Sequence, residues 1–345
     1  MWHIDKPTQQ TLDDYAKTLL PGLIKRIDKS IDLPQNVKDV LIKTNADGTR
    51  DESVLRGLLL KEPHDLFALS ESLMPMIIAG YDVAELSAVS IAMKTPQPDA
   101  AQEALKAKYA LLKKLEDAFG YNVALSQNKS RSYKLATEAN HNTCVYCNRQ
   151  YAFNIVRGKG KNDGDRIARP ALDHWFPKSL FPLMSLSYYN LIPSCTVCNS
   201  SAKLDSIWML STHIHPYLTK KAEPDFKFRY KAGLNSTWDI DFENLTGREK
   251  NTVNDLCLRE AYQAHSSLEV ADLIEMATKN NGTYLKQVYD TILGLYASGT
   301  DKVKAYRLLF GSEMMPLAYK NRPMSKLKRD IIEQIEKAKG VKFFE

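Results

Sequence analysis

The chain is decided by three fragments of one stretch: CVYCNRQYAFN at 144–154, LDHWFPKS at 172–179 and YNLIPSCTVCNSSAK at 189–203. Two Cys-x-x-Cys pairs, Cys144/Cys147 and Cys195/Cys198, bracket everything chemically unusual in it. Four thiolates in two such pairs suit one tetrahedral zinc ion, because thiolates are soft ligands and structural zinc sites are closed by four of them. The interval between the pairs exceeds the ~15–20 residues of a compact zinc ribbon. The metal is therefore expected to staple the base of a larger insertion that could not otherwise bury enough apolar surface.

Inside the insertion, the apolar Ala171-Leu172 leads into Asp173-His174, and Tyr188 to Pro193 carries Asn190 into the second pair. Asn199 follows Cys198 directly, with Lys203 four residues on, a spacing that shares a helix face. Ile167 to Trp175 reads as a strand that delivers Asp173-His174, 188–193 as a loop and returning strand, and a helix is expected from Asn199. Tyr151 to Val156 reads as a further strand, and 158–165 (GKGKNDGD) as a loop or turn. Two short strands and a helix around a cation make a ββα unit, which needs the zinc to hold together.

These elements, in this order, resemble the HNH (ββα-metal) endonuclease family over residues 144 to about 216. The resemblance implies that Asp173 and Asn199 ligate a catalytic divalent cation, Mg²⁺ by preference, and that His174 is the general base. It implies that Asn190 fixes the loop around the base, that the zinc is purely structural, and that Lys178 and Lys203 contact phosphate. An imidazole titrating near its ordinary value of about 6.5 would make the rate rise with pH through that range. Lys203 follows Asn199 by four residues where the family more often has three.

The remainder of the chain is read from composition and periodicity. With 345 residues, 44% hydrophobic and 26% charged, it has the length for two or three domains and an ample core. The expected class is α+β, mostly helical: a helical region over 1–135, the zinc-stapled ββα-metal module over 136–218, and a β-hairpin followed by helices over 219–345. Leu12, Tyr15 and Leu19 share a helix face before Pro21. Asp99 to Phe119 spaces Leu105, Tyr109, Leu112, Leu115 and Phe119 as one helix closed by Gly120. Phe226 to Tyr230 and Trp238 to Phe242 alternate as a hairpin across a link containing Gly233 and Asn235. The last helix carries an apolar face (Met324, Leu327, Ile331, Ile332, Ile335), with Lys326, Lys328, Arg329 and Lys337 on a solvated one, and Gly340 closes it. Cys257 reads as a core thiol. His213 and His215, two apart on an extended segment, are a conceivable second metal site, although packing beneath the active site is the simpler role.

Net charge is +6 with a pI near 8.8, only mildly basic. Between His141 and Lys220, however, nine Lys/Arg stand against four acids, as expected of a surface that faces phosphate. The N-terminus shows no basic region followed by an apolar core, and the apolar run near Leu73 to Ala79 is far shorter than the ~20 residues of a membrane span. The expectation is a cytoplasmic protein with no membrane partner, whose thiols stay reduced. Its expected function is metal-dependent hydrolysis of nucleic acid phosphodiesters, with DNA favoured over RNA on family grounds. The alternative is a zinc-stabilised nucleic-acid-binding module that does not cut, or a docking subunit for an ATPase. More loosely, the layout resembles HNH subunits of bacterial antiphage modules such as Septu, which implies an ABC-type ATPase partner.

Overall fold

The structure, a computed structural model, describes residues 2–159, 162–204, 206–220, 223–234, 237–279, 283–294, 301–340 and 342–343. Lys161, Asp205 and Asn235, which figure in the sequence reading, lie outside them. The architecture is mostly helical with small two-stranded antiparallel sheets, consistent with the α+β class. Among the described residues no helix is long and apolar enough to cross a membrane.

The N-terminal region holds eight described helices: α1 (Gln9–Lys29), α2 (Gln35–Leu41), α3 (Ser53–Leu60), α4 (Pro63–Ile77), α5 (Leu86–Lys94), α6 (Ala100–Lys108), α7 (Leu111–Phe119) and α8 (Lys129–Glu138). A minimal strand pair, β1 (Lys43–Thr44) with β2 (Arg50–Asp51), joins α2 to α3. Thr8 caps α1 by accepting from Thr11 N, and the helix buries Leu12, Tyr15, Leu19, Leu23 and Ile27. It does not stop at Pro21 but runs through it to Lys29.

The helix expected over Asp99 to Phe119 is broken in two. Tyr109 leaves helical geometry and is fully buried, where its hydroxyl donates to Glu85 Oε2 at 2.7 Å. The tertiary bond offsets the cost of the break. Gly120 does close α7, at φ +60°, and a Cβ there would meet the Arg26 side chain at 2.9 Å. That guanidinium donates to Phe119 O at 2.9 Å, so the α7 terminus is tied to α1.

The central segment contains β3 (Ile155–Val156) paired with β4 (Arg166–Ala168), and β5 (Ala171–His174) paired with β6 (Leu191–Ser194), both antiparallel. The long strand expected up to Trp175 is split at Arg169-Pro170, since proline has no N–H to give a ladder. A short helical segment follows β6 and opens at Thr196 rather than Asn199; its last six residues, Cys198–Lys203, are π-helical.

Both helical regions grip this segment. From the N-terminal side, Trp2 N donates to Val145 O, Ile4 N to Pro216 O, and the Tyr15 hydroxyl to Leu186 O, all within 2.9–3.2 Å. Phe67 of α4 stacks on Phe176 with ring centres 5.6 Å apart. From the C-terminal side, Met324 N donates to Asn148 O at 2.8 Å, and the Tyr262 hydroxyl to Cys147 O.

The C-terminal region begins with the expected hairpin, β7 (Lys227–Ala232) with β8 (Trp238–Glu243), followed by α9 (Gly247–Asp255), α10 (Leu258–Gln263), α11 (Ala271–Thr278), α12 (Thr283–Gly294), α13 (Asp301–Phe310) and α14 (Ser325–Lys339). A bare hairpin leaves two edges of unpaired backbone. Here side chains close both. Asp330 and Gln334 of α14 accept from Phe228 N and Tyr230 N on β7, and Gln263 of α10 accepts from Ile240 N on β8, at 2.8–3.0 Å. Gly340 ends α14 in the left-handed conformation, as expected.

Two expectations for this region fail. Lys326 is buried rather than solvated, with its ammonium between Glu223 and Asp330 at 2.8 and 3.2 Å. Cys257 is exposed and left-handed at φ +48°, because it forms the turn between α9 and α10 rather than a point on a helix face.

Candidate active site

Cys144, Cys147, Cys195 and Cys198 are all buried, and their sulfurs lie within 4.8 Å of one another. The Cys147 and Cys195 sulfurs are 3.9 Å apart. A tetrahedron with metal–sulfur bonds of about 2.3 Å has an edge of about 3.8 Å, so the donor set fits one metal ion such as zinc. Backbone N–H groups of Arg149 and Cys198 point at Cys147 Sγ and Cys195 Sγ at 3.3 and 3.5 Å, the arrangement a tight knuckle gives its thiolates. Burial pushes the Cys144 thiol well above its ordinary range, so a crowd of thiolates there needs a cation to offset it.

The second knuckle is continuous with β6, and β6 holds β5 by four register pairs that end at His174 and Leu191. The first knuckle reaches the same place through one side chain. Tyr146, between Cys144 and Cys147, donates its hydroxyl to Asp173 Oδ2 at 2.5 Å. Lys203 Nζ lies 3.3 Å from the same carboxylate oxygen and donates to His174 O at 2.7 Å. Asp173 is thereby tied to both knuckles.

His174 is buried apart from 9% of its surface, and its ring meets Tyr121 edge to face with centroids 4.3 Å apart. Its Nε2–H donates to Ser185 O at 2.9 Å. That bond selects the tautomer in which Nδ1 carries the lone pair. Burial, with smaller contributions from Lys178 and Lys203, pushes the imidazole down to about 3. It is therefore neutral across the physiological range, and the titration near 6.5 expected from the sequence is displaced by desolvation.

Asn190 is fully buried and makes three side-chain hydrogen bonds: Oδ1 accepts from Phe176 N at 2.6 Å, and Nδ2 donates to Phe176 O and Met184 O, both at 3.0 Å. These bonds fasten the two ends of the 176–184 loop. Met184 O is one residue from the carbonyl that holds His174, so Asn190 orients the imidazole through the loop.

A cavity of about 520 Å³ opens beside this group, and Asp173, His174, Lys178 and Asn199 all line it. Asn199 is half-buried, and its amide nitrogen donates to Ser200 Oγ at 2.9 Å, leaving the amide oxygen outside that bond. Lys178 is partly exposed and ion-paired with Glu116 of α7. Lys203 is placed elsewhere: its side chain is 0% exposed, it does not line the cavity, and its ammonium lies 4.9 Å over the Trp208 ring. A lysine so enclosed acts on Asp173 and the strand end, not on a phosphate outside.

Four participants were not singled out from the sequence: Tyr121, Tyr146, Arg169 and Glu116. Tyr121 and Arg169 line the cavity, and Arg169 donates to Pro170 O and Ser126 O. Tyr146 lies inside the first Cys-x-x-Cys, a position that marks it for contact with whatever the knuckle supports. Tyr121 and Glu116 come from a region with no motif.

His213 and His215 do not converge on one ion. His213 Nε2 lies 3.1 Å from Asp255 Oδ2 and its ring stacks on Trp208. His215 packs against Trp175 with ring centres 4.6 Å apart. Among the described residues, the four cysteines form the one group of three or more His, Cys, Asp or Glu side chains disposed to hold a metal. His141 is buried with its Nε2 against His3 O at 2.8 Å.

No family model matches the chain, nor does any curated protein or solved structure.

Proposed function

We propose that the protein is a metal-dependent nuclease, with a structural zinc at the four cysteines and an HNH-type centre in the adjoining cavity. The observation that carries the reading is His174: a neutral imidazole, locked by Ser185 O into the tautomer with a bare Nδ1, beside a cavity that also takes in Asp173 and Asn199.

His174 Nδ1 accepts the proton of the attacking water. The low intrinsic basicity that burial imposes is relieved when substrate enters, because a phosphate anion nearby favours the imidazolium. Asp173 and Asn199 would hold one divalent cation, whose Lewis acidity offsets charge on the scissile phosphate. With only two protein ligands, the set suits an ion that keeps part of its water shell, as Mg²⁺ does. Asp173 is kept in place by Tyr146 and Lys203. Lys178 turns from Glu116 to the phosphate, and Arg169 at the same wall adds positive charge. DNA is the substrate proposed first.

The test is cleavage of plasmid and oligonucleotide DNA with Mg²⁺ or Mn²⁺ by wild type and His174→Ala, with zinc measured by elemental analysis. Wild type should cut and carry about one zinc per chain. The variant should cut ~10²- to 10⁴-fold more slowly with zinc content and DNA binding retained. A variant that cuts at the wild-type rate removes His174 from the chemistry. A wild type that binds DNA and cuts nothing with any divalent cation makes the protein a zinc-stabilised binding module.

A further inference from the structure

We propose that the β3–β4 ribbon, with the segment 151–154 leading into it, is an arm that binds an unpaired nucleic acid strand and feeds it to the cavity; this rests on the nuclease reading above. Ile155 and Val156 are neighbours on β3, so their side chains point to opposite sides of the ribbon. Both are exposed, by 45% and 43%, and Ile167 on β4 is exposed by 58%. The ribbon is tied to α8 by Asn154, which donates to Tyr133 O and Thr137 Oγ1, and by Lys129, which donates to Arg166 O, while its apolar side chains stay largely in solvent. With the ribbon held to α8 in this way, its exposed apolar side chains form a patch of the kind that marks a binding surface.

The chemistry of the arm identifies the occupant. Tyr151 and Phe153 are exposed while Ala152 between them is buried, so both rings face outward, 5.3 Å apart and tilted by 56°. Ile155 and then the exposed Arg157 come next along the chain. Arg157 and Lys159 are exposed, and Arg166 and Arg169 follow on the return strand and its exit. Aromatic rings beside a basic track are the means by which proteins hold single strands: bases stack on the rings and cations follow the phosphates. Bases within a duplex are already stacked, so exposed rings gain little from them. An apolar protein partner would leave the exposed Arg157 and Lys159 uncompensated.

The position of the arm supplies the connection. β4 runs through Arg169 and Pro170 directly into β5, and Arg169 lines the cavity that holds His174. A strand laid along the arm is delivered to the general base.

The experiment measures fluorescence anisotropy of a labelled single-stranded oligothymidylate, and of a duplex of equal length, with the full zinc-loaded chain and no added divalent cation. Wild type should prefer the single strand. Tyr151→Ala/Phe153→Ala should weaken single-strand binding by about 30-fold or more, as two stacked bases at the low end of the usual range predict, with much less effect on the duplex. Arg157→Ala/Lys159→Ala should instead flatten the salt dependence. Circular dichroism and zinc content report that each variant is folded. Unchanged single-strand affinity in the aromatic variant overturns the proposal, as does a wild-type preference for duplex. Wild-type hydrolysis of bis(p-nitrophenyl) phosphate with Mn²⁺ reports on the cavity separately, since that ester is too small to need the arm. If the ester is not hydrolysed while the single-strand preference and its loss hold, the arm stands and the nuclease reading falls.

Discussion

Replacing Asn190 by alanine isolates the contribution of one side chain to the site's order. In the folded protein its three hydrogen bonds are made where water is excluded, to Phe176 N, Phe176 O and Met184 O. Alanine leaves one buried N–H and two buried carbonyls without those partners. A buried polar group deprived of its partner costs about 1–3 kcal/mol, partly recovered if a water enters the vacated space. The expected loss is therefore ~3 kcal/mol, a large share of the ~5–15 kcal/mol that stabilises an ordinary domain, yet short of unfolding it. Urea titration followed by tryptophan fluorescence is the appropriate assay, because Trp175 is buried next to the loop and its backbone N–H donates to Asn190 O. Cleavage should fall more steeply than stability, since the loosened loop carries Ser185 O away from His174 Nε2. Asn190→Asp keeps the acceptor for Phe176 N but sets a second carboxylate oxygen against two carbonyls, so it should be no better than alanine. A loss below about 1 kcal/mol, with cleavage intact, would refute the claim that Asn190 holds the loop.

Two further outcomes follow from buried lysine and histidine side chains. Lys203→Met removes the ammonium between Asp173 and His174 O and should cost about 3–5 kcal/mol, the usual penalty for unpairing a buried charge. The salt dependence of DNA binding should stay at its wild-type slope; a slope reduced by about one would mean that Lys203 does reach phosphate. Burial pushes His141 down to about 4 and His215 down to about 3, against an ordinary value near 6.5. Below pH 6.5 the unfolded chain binds protons at these positions that the folded chain excludes, so their stabilisation is complete above 6.5 and is lost as pH falls. From pH 6.5 to 4.5 the two should remove about 4 kcal/mol. His141→Gln/His215→Gln should flatten that decline in urea titrations, and an unchanged pH slope would contradict it.

What could be learned from the sequence was local chemistry. Two Cys-x-x-Cys pairs bring four soft ligands together because each pair is a tight turn, and the structure gathers their sulfurs as that spacing requires. Asp173, His174 and Asn199 line one cavity because the strand, the return strand and the short helix are consecutive, so chain order carries their proximity. The hairpin at 227–243 and the glycine stops at 120 and 340 were readable because alternation and left-handed caps are properties of a few residues. Only tertiary structure decided which way the charged side chains turned and what met across long separations. Lys203 and Lys326 have the composition of surface residues and are buried, since a carboxylate from another element lies within reach of each. Cys257 has the composition of a core residue and is exposed, since a turn between two helices was needed at that point. Tyr121, just after α7, lines the cavity and Glu116 of α7 pairs with Lys178 at its wall, where no motif marks either, because the N-terminal helices fold back over the central segment. Spacing encodes contacts within a turn or a strand pair; contacts between distant segments depend on which surfaces the whole chain can bury together.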